Sequence, residues 1–241
     1  VSNIGIISRR ELGGYFRTPS FYLIAAATLI VQGLMFNTRA LGTGARLSSQ
    51  VLIDFLRDSS GTTTVAAVLL SMRLFAEERQ SGTLVLLFTS PVHEYEIVIG
   101  KFISAFVVLS LLILSSVYLP ALIFVNGKVS IGHIAAGYLG LLLVGSATLA
   151  LGVLGSALAR TQLMAGVLAA VFIFFLFLTW ALSRVVDPPF GDLIAHFSLY
   201  EKHFFPLMRG LLQLSDVVYY FSLTYLALLA STRVIQSQRW Q

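Results

Sequence analysis

The chain has 241 residues, 57% hydrophobic and only 11% charged, with 16 Lys+Arg against 11 Asp+Glu, a net charge of +5 and a mean hydropathy of +0.86. Soluble domains carry about a quarter of their residues as Asp, Glu, Lys or Arg, so this charge is too thin to coat a water-facing surface, and a soluble globular enzyme is excluded along with a disordered chain. The absence of Cys removes disulfides, thiolate metal ligands and Cys nucleophiles together, and the basic residues stand singly between apolar runs, which suits anionic lipid headgroups rather than nucleic acid.

In chain order, the first element is short and amphipathic. Ile4, Ile7, Tyr15 and Phe16 surround Arg9, Arg10, Glu11 and Arg17, the pattern of a helix lying in the membrane interface. A signal-peptide reading of this end fits less well, because no small-x-small cleavage site follows. A spanning helix needs about 20 mostly apolar residues. Runs free of Asp, Glu, Lys and Arg cover 18–38, 102–127, 129–159 and 161–183, with 21, 26, 31 and 23 residues. Two shorter runs, 59–72 and 217–232, have 14 and 16. The first of these reaches spanning length if Arg73 snorkels and Leu74 to Ala76 join it; Asp216 and Arg233 bracket the second. The expectation is an all-α integral membrane protein forming one transmembrane domain over 1–241, with six spans near 20–38, 56–76, 100–126, 131–159, 161–184 and 215–233.

Boundary signals agree. Thr18-Pro19 offers a capping hydroxyl before a proline, Pro120 predicts a kink late in the third span, Asn126-Gly127 predicts a tight turn, and Asp187-Pro188-Pro189 ends the fifth span. An even number of spans places both termini on one side. With that side cytoplasmic, nine basic residues fall inside and seven outside, a weak bias in the expected direction.

The longest inner loop on this topology runs from Ala76 to Glu96. It opens with Glu77, Glu78 and Arg79, continues through the apolar stretch Leu84 to Phe88, and breaks at Thr89-Ser90-Pro91. A short, partly apolar helix framed by charges suits either docking to another protein or plain linkage between two spans. The segment MRLFAEERQSGTLVLLFTSPV (Met72 to Val92), followed by EIVIGKF (Glu96 to Phe102), is similar to the signature of ABC-2 type transporter permeases. The closing stretch Arg209 to Trp240 and the length resemble one branch, the gliding-motility-associated permeases. The resemblance implies a cytoplasmic coupling helix between spans two and three that docks on a separate ATPase subunit, with Glu77, Glu78, Arg79, Gly82, Thr83, Leu84 and Pro91 in it. It implies a second permease subunit, identical or related, and an auxiliary subunit with a large extracytoplasmic domain. It also implies the bacterial inner membrane as location, and export or mechanical work at the envelope as the activity. Val85 stands where the family usually has an acidic residue.

No GxxxxGK[ST] phosphate loop is present, so the chain itself is expected to bind no cofactor and to hydrolyse no ATP; ATP and Mg belong to the partner. An intramembrane lipid-modifying enzyme is one alternative, but the charged residues stand at opposite ends of different spans. A non-transporting scaffold is another. Between spans five and six, Leu193, Phe197, Tyr200 and Phe204 recur at helical spacing and predict an amphipathic helix on the outer surface. His196, His203 and Glu201 nearby fall short of a metal site. Asp54, Arg57 and Asp58 predict a self-neutralising patch on the outer end of span two. The pairs Gly152/Ser156 and Gly155/Ala159 in span four allow close helix approach, within the chain or to a second copy.

Overall fold

The computed structural model describes residues 3–40, 47–83, 92–123, 129–186 and 190–239, and among these the regular structure is helical, without strands. The helices are α1 (Asn3–Arg17), α2 (Pro19–Ala40), α3 (Ser48–Ser71), α4 (Ala76–Gln80), α5 (Glu94–Ser115), α6 (Tyr118–Ala121), α7 (Ile131–Leu158), α8 (Gln162–Ser183), α9 (Phe190–Ala195), α10 (Phe204–Met208) and α11 (Leu214–Arg239). Five stretches are long and apolar enough to cross a membrane: Pro19–Arg39, Glu94–Ala121, Ile131–Leu158, Gln162–Ser183 and Leu214–Gln238. This is a multi-pass membrane protein.

The sixth long helix, α3, is less apolar, and its bounds differ from the expected 56–76. It starts at Ser48 and stops at Ser71, after which a tight turn leads into α4. A run defined by missing charges ends at Asp58, but Arg39 of α2 pairs with that carboxylate at 3.0 Å, so the helix continues through it. Four polar residues of α3 face protein: Ser59, Ser60, Thr63 and Ser71 are buried. Arg73 does not snorkel from a span. It lies in the turn and pairs with Glu77 at 2.9 Å.

The centre of the bundle is α7. Of its most apolar window 78% is buried, against 17% for α8, so α7 packs on protein all round while α8 turns Leu163, Val167, Val171, Phe174 and Phe175 outward. Lipid tails are as apolar as these side chains, so such a face needs no protein cover, and helices here associate through close packing. The small residues of α7 supply it. A Cβ on Gly155 would stand 2.9 Å from the backbone nitrogen of Ala169 in α8, and one on Gly152 would collide with the Ser71 side chain of α3. Those glycines therefore serve contacts inside the chain.

Elsewhere the structure corrects local expectations. The Thr18 hydroxyl does not cap α2; it donates to the carbonyls of Gly14 (3.2 Å) and Tyr15 (2.9 Å), closing α1. The apolar stretch expected from residue 100 begins earlier, at Glu94, and breaks at Ser116–Val117 before α6, about one helical turn ahead of Pro120. Its buried Ser116 hydroxyl meets Tyr138 of α7 at 3.0 Å. The outer amphipathic helix is not continuous: α9 ends at Ala195, a turn-rich stretch follows, and α10 begins at Phe204. Phe204, Leu207 and Met208 are buried against the rest of the fold, so α10 is packed into the bundle as a plug. The segments around Asn126-Gly127 and Asp187-Pro188-Pro189 lie outside the described residues.

Candidate coupling site at one end of the bundle

One end of the bundle collects α1, α4 and the first turns of α5 with the last turns of α3, α7 and α11. At its middle is Lys101, 1% exposed, in the second turn of α5. Its Nζ donates to Glu11 Oε1 of α1 at 3.0 Å and to Glu78 Oε1 of α4 at 2.8 Å, and lies 5.4 Å from the centre of the Phe75 ring. The desolvated lysine nitrogen is thus met by two carboxylates and a ring face. The second oxygen of Glu78 is buried without a hydrogen-bond partner among the described residues.

The turn between α3 and α4 is fastened from the other side by Ser156 of α7. Its hydroxyl accepts from the backbone N–H of Phe75 (3.0 Å) and Ala76 (3.2 Å) and donates to the Met72 carbonyl (3.2 Å). Arg79 then reaches past the end of α7. It donates to the carbonyls of Ala159 (2.7 Å) and Ala157 (3.0 Å) and to the side chain of Gln238 in α11. Helix C-terminal carbonyls carry partial negative charge, which suits a guanidinium there. Burial, followed by the nearby charge of Arg160, holds the Arg79 pKa below its ordinary value. For Arg73 the hydrogen bond to Glu77 pushes the other way and raises it.

The first helix joins the same assembly. Asn3 donates to both Glu96 oxygens at 3.2 Å, while the His93 backbone N–H donates to Glu96 at 3.0 Å, so one carboxylate caps α5 and ties down α1. Ile7 lies against Gly100, where a Cβ would stand 2.8 Å from it. The Tyr15 hydroxyl donates to the Leu70 carbonyl at 3.0 Å, and burial raises its pKa, with Glu11 adding to the effect. The interfacial helix is therefore also bolted to the bundle. A polar cavity of about 510 Å³ lies between α1 and α4, bordered by Arg10, Glu11, Arg73, Glu78, Thr83 and Lys101.

Of the residues expected to couple to a partner, the structure turns Glu78 and Arg79 inward and leaves Glu77, Gly82 and Thr83 exposed. Gly82 has φ +73°, a left-handed conformation that favours glycine where the chain leaves α4. Leu84 and Pro91 lie outside the described residues. The sequence placed Glu11 in the interfacial helix and Ser156 in a small-residue pair, and it assigned neither of them, nor Lys101 or Gln238, to coupling. A lone lysine at the start of a long apolar run was the only available signal.

The opposite end is built differently. His203 lies between the Asp216 carboxylate (2.9 Å) and the His196 carbonyl (3.1 Å), stacked on Tyr219 at 4.0 Å. Both of its ring nitrogens are thus engaged within the protein, and no group of three metal-ligating side chains occurs among the described residues. The Asp54–Arg57–Asp58 patch is paired across elements: Asp58 holds Arg39, and Arg57 lies 6.0 Å from the Phe205 ring centre. An apolar cleft of about 640 Å³ opens between α3 and α8, floored by Tyr200 and Phe204.

The family model described as ABC-2 family transporter protein matches residues 20–237. The chain belongs to that family. Proteins of the ABC-2 family form a transmembrane permease component and generally work with a cytoplasmic ABC ATPase. The match takes in every long helix of the bundle and the α3–α4 turn, while α1 precedes it. No curated protein matches the chain.

Proposed function

We propose that this ABC-2 protein is the permease subunit that converts ATP hydrolysis by a separate ATPase into export of a substrate, or into mechanical work at the cell envelope. The segment from Glu77 to Pro91 is its coupling element. The observation that carries this reading is the fastening of the α3–α4 turn to four helices: α7 through Ser156, α1 and α5 through Lys101, and α11 through Arg79. A push on that segment moves helix ends together, as rigid-body switching requires. Glu78 and Arg79 act as transmitters, and Glu77, Gly82, Thr83, Leu84 and Pro91 form or shape the docking surface.

On this reading α3 also crosses the membrane, as the second of six spans. The geometry supports it: α1 and the last turn of α11 meet at the same end of the bundle, as an even number of crossings requires. That end is cytoplasmic, in a bacterial inner membrane, with both termini there. Two such permeases, identical or related, face each other above two ATPase subunits, with ATP and Mg bound by the ATPases. An auxiliary extracytoplasmic subunit follows from the gliding-motility-like closing stretch.

The test is reconstitution with a cytoplasmic ABC ATPase partner. Replacing Thr83 by Cys should give a crosslink to the ATPase whose yield changes between ATP-bound and nucleotide-free states. Unchanged ATPase affinity after exchanging residues 82–91 for a Gly/Ser linker, or ATP hydrolysis by the purified chain alone, would overturn the proposal.

A further inference from the structure

Helix α1 has two faces of opposite character. At about 100° per residue, Ile4, Ile7, Glu11 and Tyr15 share the arc that packs on α5 and α3. Ile6, Arg9, Arg10, Phe16 and Arg17 share an opposite arc of roughly 120°, and all five are exposed. Glu11 is the one acidic residue of α1, and it is turned inward to Lys101. Among the described residues none of the three arginines forms an ion pair. The outer arc therefore carries three uncompensated guanidinium groups beside two exposed apolar side chains, Ile6 at 57% and Phe16 at 40%.

The position of this arc decides its occupant. Only Thr18 separates α1 from α2, whose Pro19–Arg39 stretch is long and apolar enough to span. The Tyr22 hydroxyl of α2 donates to the Phe16 carbonyl at 2.9 Å, and Tyr22 and Leu23 continue the exposed apolar surface straight up the span. Aromatic residues at the end of a span mark headgroup level, so the arginines stand where phosphates are. An acidic protein surface would match the charge but would have to cover Ile6 and Phe16 while leaving Leu23 to lipid.

We infer that the outer face of α1 is a binding surface for anionic phospholipid headgroups, with Arg9, Arg10 and Arg17 on the phosphates and Ile6 and Phe16 among the upper acyl carbons. Because the opposite face of α1 is tied to Lys101, a lipid held there also fixes the helix that carries Glu11. The inference rests on the span assignment of α2 and not on the ATPase reading, so either can fail alone.

The experiment uses the full chain without any ATPase. The purified protein is exchanged into nanodiscs of phosphatidylcholine or of phosphatidylcholine with phosphatidylglycerol, and phosphatidylglycerol enrichment around it is measured by native mass spectrometry. The triple variant R9Q/R10Q/R17Q should lose about fivefold of relative phosphatidylglycerol preference per arginine, roughly a hundredfold in all. Retained folding is checked by unchanged thermal unfolding, since all three side chains are exposed. Unchanged phosphatidylglycerol enrichment in the triple variant would overturn the inference. A triple variant that keeps its lipid preference here and, in a second assay with an ABC ATPase added, binds that ATPase more weakly would overturn the inference and reassign the arc to protein docking.

Discussion

The two ends of the bundle each bury a hydrogen-bonded pair of polar side chains, yet they are held in different ways. At the Lys101 end one cation is shared by carboxylates from α1 and α4, elements 90 and 23 positions away in sequence, beside a polar cavity. At the His203 end the pair is closed in by aromatic side chains. Tyr220 donates to the Leu199 carbonyl at 2.6 Å, Tyr219 to the Phe197 carbonyl at 2.8 Å, and Tyr200 meets Thr64 at 2.6 Å. Neutral hydrogen bonds to fixed carbonyls lock the 196–203 turn in one arrangement. Charges shared among several elements next to a water-accessible cavity can exchange partners when one element is displaced. On the proposed function, the comparison assigns the moving joint to the Lys101 end and the fixed one to the other.

The sharpest way to break this contrast is Lys101→Met. Removing the cation leaves the Glu11 and Glu78 carboxylates together without a counter-charge. Their side chains are 23% and 18% exposed, which places the expected loss at the low end for a broken buried pair, about 3 kcal/mol. Unfolding in mixed micelles would measure it, and a loss below about 1 kcal/mol would remove Lys101 from the centre of the joint. Next comes Gly155→Ala. Its Cβ would press on the Ala169 nitrogen and the Ala165 carbonyl, backbone atoms that move only if α8 moves, so about 1–3 kcal/mol should be lost. Gly61→Ala, where nothing lies within 4 Å, should show no such loss in the same assay.

A smaller effect sharpens the other half of the comparison. Tyr220→Phe deletes one buried hydroxyl and leaves the Leu199 carbonyl unpaired, at an expected cost of about 1–2 kcal/mol. Faster amide exchange confined to the 196–203 turn would show that this hydrogen bond holds it; uniform loosening would show that it does not. The smallest effect is expected for Arg39→Gln, which removes a partly exposed ion pair with Asp58 worth less than about 1 kcal/mol. A larger loss there would mean that α2 and α3 depend on charge pairing at the His203 end as well.

Much of the helical layout was legible because the signal is local. The expected span 131–159 and helix α7 agree to within a residue, and small residues at four-residue spacing marked close approach. Counting charge-free residues failed at α3, since Asp58 is neutralised by a residue of another helix. Helical periodicity failed between Ala195 and Phe204, where His203 and Tyr200 find partners across the bundle that reward a turn. At the candidate site, Glu77 to Thr83 drew attention through the family-like pattern. Their division into inward and exposed side chains depends on Ser156 and Lys101, and neither residue announces its partner.

By itself the sequence determined the class of this molecule: helices carrying long apolar runs, each satisfying its own backbone polar groups in a medium without water. That constraint acts within one segment, so it can be read one segment at a time. Only the tertiary structure decided which charges meet. Glu11, Glu78 and Lys101 converge because α1, α4 and α5 pack together, and the stability of a buried cation depends on carboxylates that no local pattern brings near it.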